Sequence, residues 1–404
     1  MKVKIEKSLA RGEVYAPPSK SASHRLLIAA ALADGTSRID GISLCDDVLA
    51  TADCLRALGA KIEFSGDSAA VTGCDVTRAI PSGTLNCRES GSTLRFMIPI
   101  AAMCGDKVSF SAAEGLLKRP LSVYEELFAQ RGISLTRAGG LIEVCGRLGG
   151  GDYTLRGDVS SQFISGLLFS APLTGEDVRI RITERIESRP YIDMTLSAMR
   201  ICGITAVWES ESTIFVKGGQ AYHACNRRVE GDWSGAAFTE SFNLFGGEVA
   251  LLGLCEDSLQ GDRIYREHFK ALERGAPTIS LSDCPDLGPI LFAVAAAKHG
   301  ARFTDTARLK IKESDRAQMM AEELRKLGAI IDVEENCVTV HKSVLHTPSE
   351  PLLGHNDHRI VMSLATLASV YGGEIIGAEA VKKSYPNYFE DIKSLGINVT
   401  EYEN

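Results

Sequence analysis

One short phrase recurs along this chain: the end of a helical pattern, a glycine, then a short alternating strand. Leu55-Arg56-Ala57-Leu58-Gly59-Ala60-Lys61-Ile62 is one copy, and Leu127-Phe128-Ala129-Gln130-Arg131-Gly132-Ile133 is another. Met199-Arg200-Ile201-Cys202-Gly203-Ile204, Leu324-Arg325-Lys326-Leu327-Gly328-Ala329-Ile330 and Ile392-Lys393-Ser394-Leu395-Gly396-Ile397 repeat it. Leu272-Glu273-Arg274-Gly275-Ala276 is a weaker sixth. Each glycine suits the residue after a helix, where a left-handed backbone is needed. The strand that follows alternates polar and apolar, as in Ala60-Lys61-Ile62-Glu63-Phe64. Most of the glycines recur about every 70 residues, too long for a solenoid repeat and suited to a compact unit of strands and two helices. Helix–Gly–strand is common in any α/β protein, but near-regular spacing favours true repetition, with the unit used about six times. Six units divide three and three. Lys217-Gly218-Gly219-Gln220 and Asn226-Arg227-Arg228-Val229-Glu230-Gly231 read as the connector near the middle. Pairing rules alone leave open which half takes the N-terminal strand.

A chain of 404 residues suits two or more domains. With 45% hydrophobic and 24% charged residues, it can bury a large core without a metal or disulfide. The net charge of -8 argues against a nucleic-acid partner. Small anions can still bind where cations are concentrated locally. The 11 cysteines are odd in number and form no C-x-x-C pair, which suggests thiols in a reducing compartment. The start, Met1-Lys2-Val3-Lys4-Ile5-Glu6-Lys7, lacks an apolar signal region. No apolar run approaches the roughly 20 residues that span a bilayer. A cytoplasmic protein without a membrane partner is expected.

The chemistry is concentrated at helix starts. Ser19-Lys20-Ser21-Ala22-Ser23-His24-Arg25 follows Pro17-Pro18 and runs into the apolar helical pattern Leu26 to Leu32. Two fixed cations and three hydroxyls therefore surround free N–H groups and the positive end of a helix dipole, a setting for phosphate or carboxylate. Taken alone, such a segment is equally a serine cap with solvated cations nearby. The pattern recurs, however. Arg88-Glu89-Ser90-Gly91-Ser92-Thr93-Leu94-Arg95 precedes an apolar helix from Phe96 to Met103, and its glycine lets a ligand approach the backbone. Lys118-Arg119-Pro120 precedes a helix with Pro in its first turn. Ser160-Ser161-Gln162 begins a helix from Phe163 to Ser170, and Ser188-Arg189-Pro190-Tyr191 begins another. Lys310-Ile311-Lys312-Glu313-Ser314-Asp315-Arg316, Asp357-His358-Arg359 (before Ile360 to Leu367) and Lys383-Ser384-Tyr385-Pro386 complete the set. Each alone is an ordinary cap or ion pair, but together they suit polyanionic substrates. A charge-assisted hydrogen bond contributes roughly 1.5–3 kcal/mol, so several could hold two phosphorylated acids.

Other chemistries fit less well. His355-Asn356-Asp357-His358 lacks further metal ligands and is followed by Arg359, which would repel a cation. Gly149-Gly150-Gly151 and Gly246-Gly247 do not lead into a phosphate-loop Gly-Lys-Ser/Thr. No dinucleotide fingerprint follows a strand, and no nucleophile elbow is present.

These residues resemble a family. From Ser19-Lys20-Ser21-Ala22-Ser23-His24-Arg25 through Ser90-Gly91-Ser92-Thr93-Leu94-Arg95, Arg119-Pro120, Ser160-Ser161-Gln162-Phe163, Ser188-Arg189-Pro190-Tyr191, Val229-Glu230-Gly231-Asp232, Lys312-Glu313-Ser314-Asp315-Arg316 and Asp357-His358-Arg359 to Lys383-Ser384-Tyr385-Pro386, the chain is similar, in order, to the enolpyruvylshikimate-3-phosphate synthases. These are also called 3-phosphoshikimate 1-carboxyvinyltransferases. The resemblance implies an α/β (α+β) fold, a two-domain inverse α/β barrel with three β-α-β-α-β-β units per domain. It implies one domain of residues 1–14 plus 229–404, an inserted domain of 15–228, and substrates in the cleft between them. It implies transfer of the enolpyruvyl group of phosphoenolpyruvate to the 5-hydroxyl of 3-phosphoshikimate, on the way to chorismate, by a monomer with no metal or organic cofactor.

Carried over position by position, Lys20, Ser21, Arg25, Ser160, Ser161, Gln162, Ser188, Asp286 and Lys312 would bind 3-phosphoshikimate. Lys20, Gly91, Arg119, Gln162, Arg316, Arg359 and Lys383 would bind phosphoenolpyruvate. Asp286 would take the proton of the attacking hydroxyl, and Glu313, with Lys20, would protonate the methylene carbon. General acid–base help of this kind typically contributes about 10²–10⁴-fold. The cations would stabilise the tetrahedral intermediate and align the reactants. Two departures stand out: Arg308 replaces an Asn used by some members, and Arg88-Glu89-Ser90-Gly91 replaces an Asn-Ala-Gly-Thr phrase. They bear on shikimate contacts and on sensitivity to glyphosate.

The sister family that acts on UDP-N-acetylglucosamine usually carries a Cys before its Arg-Pro pair and a Lys-Asn phrase. Here Glu114-Gly115-Leu116-Leu117-Lys118 has no Cys, and Lys20 precedes Ser21. A non-catalytic anion-binding module would not need both Asp286 and Glu313. RNA-end processing would call for a basic, aromatic-laced strip.

Overall fold

The computed structural model describes residues 1–402. The chain forms two compact units, one of Pro18–Glu230 and one of Met1–Pro17 together with the chain from Gly231 onward.

The Pro18–Glu230 unit carries three four-stranded sheets of one design. Their strand orders are Asn226–Arg228, Thr36–Asp40, Ser68–Thr72, Lys61–Ser65; then Leu85–Asn86, Val108–Ser111, Leu141–Cys145, Ser134–Ala138; then Gly151–Arg156, Val178–Thr183, Thr213–Val216, Ala206–Ser210. In each, the first two strands are parallel and the rest antiparallel. The second and third sheets run strand, helix, strand, helix, hairpin. The first borrows its opening strand, Asn226–Arg228, from the end of the unit.

The other unit repeats the design in Thr278–Ser280, Ala301–Thr304, Cys337–His341, Ile330–Val333 and in Leu352–Leu353, Gly373–Ile376, Lys2–Ile5, Val399–Tyr402. In the latter sheet the N-terminal strand Lys2–Ile5 pairs antiparallel on both sides. The sixth copy is short. Glu248–Leu252 pairs in parallel with Arg11–Tyr15 and forms only a two-stranded sheet.

This corrects the weakest of the six sequence phrases. Gly59, Gly132, Gly203, Gly328 and Gly396 have φ between 68° and 112°, the left-handed turn out of a helix. Gly275 has φ 171°, which is extended. Its helix, Tyr265–Arg274, leads into Thr278–Ser280, the opening strand of the next sheet, so no hairpin follows. Pro120 also differs from expectation. It lies two residues ahead of the helix Ser122–Ala129, which is capped by Leu121, and not in the first turn.

Helices lie inside and sheets outside. Lys20–Ala31, Gly91–Ala101 and Ser161–Ser170 are buried on nearly every side, as are Trp233–Glu240, Gly288–Ala297 and His358–Tyr371 in the other unit. Beyond their polar first turns these helices carry mostly apolar or small residues on every side, which suits an interior position. Asp46–Ala57, Ser122–Ala129 and Arg189–Ile201 bury one face only. The helices begin earlier than the apolar runs suggested, because Ser90, Ser160 and Asp357 accept backbone N–H groups as caps.

One interior contact shows how closely these helices pack. Pro99 has no N–H to give the Arg95 carbonyl one turn back. The single proton of the Tyr124 hydroxyl is shared between that carbonyl, at 2.9 Å, and the Phe163 carbonyl, at 2.8 Å. Gly166 makes room for this, since a Cβ there would lie 2.3 Å from the Tyr124 hydroxyl.

Candidate active site

In the Pro18–Glu230 unit, first-turn residues of several helices touch one another. Ser19 caps the helix Lys20–Ala31 by accepting from the Ala22 N–H at 3.3 Å, which leaves Lys20 as its first residue. The Lys20 ammonium pairs at 2.9 Å with Asp47, in the first turn of Asp46–Ala57. The Asp47 carbonyl accepts from Thr93, in the first turn of Gly91–Ala101. Ser92, beside Thr93, accepts at 2.8 Å from the Gln162 amide, in the first turn of Ser161–Ser170. Gln162 is gripped from its other end by Arg95, which donates at 2.6 Å. These bonds gather helix N-termini, with their free N–H groups and dipoles, at one end of the unit.

Arg25 lies one turn deeper. It is buried and donates to the Thr195 hydroxyl at 2.8 Å, the Ser21 carbonyl at 2.8 Å and the Tyr191 carbonyl at 3.0 Å, tying Lys20–Ala31 to Arg189–Ile201. Its guanidinium lies over the rings of Phe96 and Tyr191. Burial brings its pKa down to about 10, still cationic at neutral pH. Ser188 starts the helix Arg189–Ile201 in a left-handed conformation, φ 55° and ψ 42°, with its side chain not used as a cap. A non-glycine residue held there stores strain of the sort found at ligand sites. Arg119 is brought to Gly91: a Cβ on that glycine would lie 2.9 Å from the guanidinium. Arg137 holds the Arg119 loop by donating to the Arg119 carbonyl at 3.0 Å and also to that of Leu117.

In the other unit, Asp286 is the hub. It sits in the turn Pro285–Leu287, ahead of the helix Gly288–Ala297. Its carboxylate is 2.7 Å from Arg316, 2.9 Å from Arg359 and 3.2 Å from Lys312. Arg316, 1% exposed, also bonds Asp357 at 2.8 Å and Glu313. Burial alone would lower its pKa, but Asp357, Glu313 and Asp286 outweigh that and raise it. Asp357 caps the helix His358–Tyr371, with the Arg359 N–H donating at 3.0 Å, and Arg359 further bonds the Ser234 hydroxyl. Lys383 donates to the Asn356 carbonyl at 2.6 Å. Lys312 is 22% exposed, and burial is the largest effect on its ammonium. Arg308 and Arg316 add to it against the pull of Asp286, and its pKa falls to about 8.

So Lys20, Ser21, Arg25, Gly91, Arg119, Ser160, Ser161, Gln162 and Ser188 belong to one unit, and Asp286, Lys312, Glu313, Arg316, Arg359 and Lys383 to the other. Of the residues that pair with them, Asp286, Glu313 and Asp357 stand in phrases the sequence already marks, whereas Asp47 and Ser234 do not. Asp47 and Ser234 look like ordinary first-turn residues, and only their fold neighbours reveal them. His355 turns to the buried Glu323 at 2.8 Å.

Comparison with known proteins adds three findings. A family model described as EPSP synthase (3-phosphoshikimate 1-carboxyvinyltransferase) matches residues 4–392. A Clostridium kluyveri protein named 3-phosphoshikimate 1-carboxyvinyltransferase is 38% identical, over 99% of this chain and 98% of its own. One of the same name from Clostridioides difficile is 36% identical over 99% and 98%. A solved EPSP synthase from Acinetobacter baumannii superposes with a TM-score of 0.79 at 21% identity, covering both chains fully, and so supports the fold.

Proposed function

The chain belongs to the EPSP synthase family, and on that premise we propose that it transfers the enolpyruvyl group of phosphoenolpyruvate to the 5-hydroxyl of 3-phosphoshikimate, releasing phosphate. The observation that carries this reading is the family match along residues 4–392, which spans every cationic helix start described above. The product, 5-enolpyruvylshikimate 3-phosphate, lies on the route to chorismate and the aromatic amino acids.

The two units then hold complementary parts of one site. Lys20, Ser21, Arg25, Ser160, Ser161, Gln162, Ser188, Asp286 and Lys312 take 3-phosphoshikimate. Lys20, Gly91, Arg119, Gln162, Arg316, Arg359 and Lys383 take phosphoenolpyruvate, in the cleft between domains of residues 15–228 and 1–14 plus 229–404. The 5-hydroxyl oxygen bonds to C2 of phosphoenolpyruvate and gives its proton to Asp286. C3 gains a proton from Glu313, with Lys20 beside it. The resulting tetrahedral intermediate then loses a C3 proton and phosphate, and the double bond re-forms. Cations placed in advance around both phosphates stabilise charge without reorganising, which in enzymes is usually the largest single contribution. Holding both reactants aligned removes part of the entropic barrier.

Support for this assignment comes from chemistry of the right kind in each unit: anion-facing helix starts in one, and a carboxylate ringed by three cations in the other. All 11 cysteines are free thiols, which suits the cytoplasm. The test is phosphate release from phosphoenolpyruvate. Release with 3-phosphoshikimate, and none with UDP-N-acetylglucosamine in its place, is expected. The reverse preference, or no turnover with either, overturns the reading.

A further inference from the structure

Two cysteines outside the site lie unusually close together. Cys202 ends the helix Arg189–Ile201, and Cys225 directly precedes the strand Asn226–Arg228. Their sulfurs are 3.4 Å apart. The backbone around them is pinned: the His223 N–H donates to the Cys202 carbonyl at 2.8 Å, and the Cys225 N–H to the Ser37 hydroxyl at 3.0 Å. A disulfide needs about 2.05 Å between sulfurs, so the pair must close by roughly 1.4 Å.

The two thiols are not equivalent. Cys202 is buried and Cys225 is partly exposed, so a small reagent meets Cys225 first. The Cys202 and Cys225 sulfurs share a hydrogen bond, and donation from the buried Cys202 favours the thiolate on Cys225. Burial opposes this, while the Ser37 hydroxyl and the Arg227 guanidinium add to it, and the Cys225 pKa falls to about 7. Thiolates are the reactive form. Cys54 and Cys87 also lie close together, but both are fully buried, so neither is open to a reagent as Cys225 is.

We propose that Cys202 and Cys225 form a reactive dithiol site that small-molecule disulfides oxidise, Cys225 attacking and Cys202 resolving. The Cys225 thiolate attacks one sulfur of the reagent, forming a mixed disulfide and expelling one thiolate. The Cys202 sulfur, losing its proton, then attacks the Cys225 sulfur and expels the second. The protein loses two electrons and two thiol protons, and the reagent becomes two thiols. The new bond staples the helix whose far end carries Ser188 to the strand Asn226–Arg228.

The test treats the full, pre-reduced chain with oxidised glutathione and maps its peptides without reduction. A direct bond between the peptides of Cys202 and Cys225 is expected, with the exposed Cys145 and Cys255 as internal controls that gain at most glutathione adducts. Cys202→Ser should trap glutathione on Cys225, and Cys225→Ser should leave Cys202 unmodified. Adducts at Cys145 and Cys255 with Cys202 and Cys225 both still free overturn the proposal. So does glutathione that stays on Cys225 in the wild-type chain without resolving. The wild-type map decides even where a variant fails to fold.

Discussion

Arg316 shows what single residues contribute here. Its side chain is 1% exposed and faces Asp357, Glu313 and Asp286, with Asp357 fully buried. Arg316→Met would leave these carboxylates without their main counter-charge. Removing one partner of a buried ion cluster costs about 3–5 kcal/mol, so urea unfolding at neutral pH should show a loss of that order. The loss should shrink as acid neutralises the carboxylates. Lys312 gives a pH signature. Its folded pKa of about 8 lies below its ordinary 10.5, so between these values the unfolded chain holds more protons, and this group adds stability as pH rises. A bound phosphate favours the charged form. Affinity for 3-phosphoshikimate should therefore fall as pH rises through about 8, and Lys312→Arg, which keeps its charge, should flatten that fall. Titration calorimetry across this range checks both. At this scale the sequence revealed the cations, because Lys and Arg beside Ser at helix starts make a readable pattern. It did not reveal Asp47, nor which cation each carboxylate meets. Asp47 is 27 residues from Lys20, and Asp286 is 73 from Arg359, so only the fold shows those pairings.

At the scale of elements, the glycine that ends each helix was the legible signal, and its failure at Gly275 follows from what comes next in the chain. Gly328 has φ 92°, and a Cβ there would lie 2.7 Å from His346, whereas Gly275 is extended with nothing within 4 Å. Gly328→Ala should cost more than about 1 kcal/mol, and Gly275→Ala should stay within about 0.5 kcal/mol, both read by denaturant melts. Gly91 tests a different role. It is the first residue of its helix and needs no special backbone conformation, but an added Cβ would lie 2.9 Å from the Arg119 guanidinium. Gly91→Ala should therefore leave stability nearly unchanged and raise the KM for phosphoenolpyruvate by roughly tenfold, the equivalent of about 1.4 kcal/mol, with the KM for 3-phosphoshikimate little affected. Equal rises in both would remove Arg119 from the phosphoenolpyruvate set. The two-stranded sheet of Glu248–Leu252 and Arg11–Tyr15 was not legible, because a truncated repeat keeps the helix phrase and drops only the hairpin.

At the scale of the molecule, repetition, acidic balance and cationic helix starts made the class of protein readable before any coordinates. The N-terminal strand was beyond pairing rules, since its partners Gly373–Ile376 and Val399–Tyr402 lie nearly 400 residues along the chain. Because the proposed phosphoenolpyruvate set draws on both units, the proposal requires anions to bridge cations carried by different units. The most direct test is a crystal structure with 3-phosphoshikimate and phosphoenolpyruvate bound to an Asp286→Ala variant. The account expects one phosphate among Ser160, Ser161, Ser188 and Lys312, with phosphoenolpyruvate among Lys20, Arg119, Arg316, Arg359 and Lys383. Both substrates seated on a single unit, with the other unit's cations left in solvent, would contradict it.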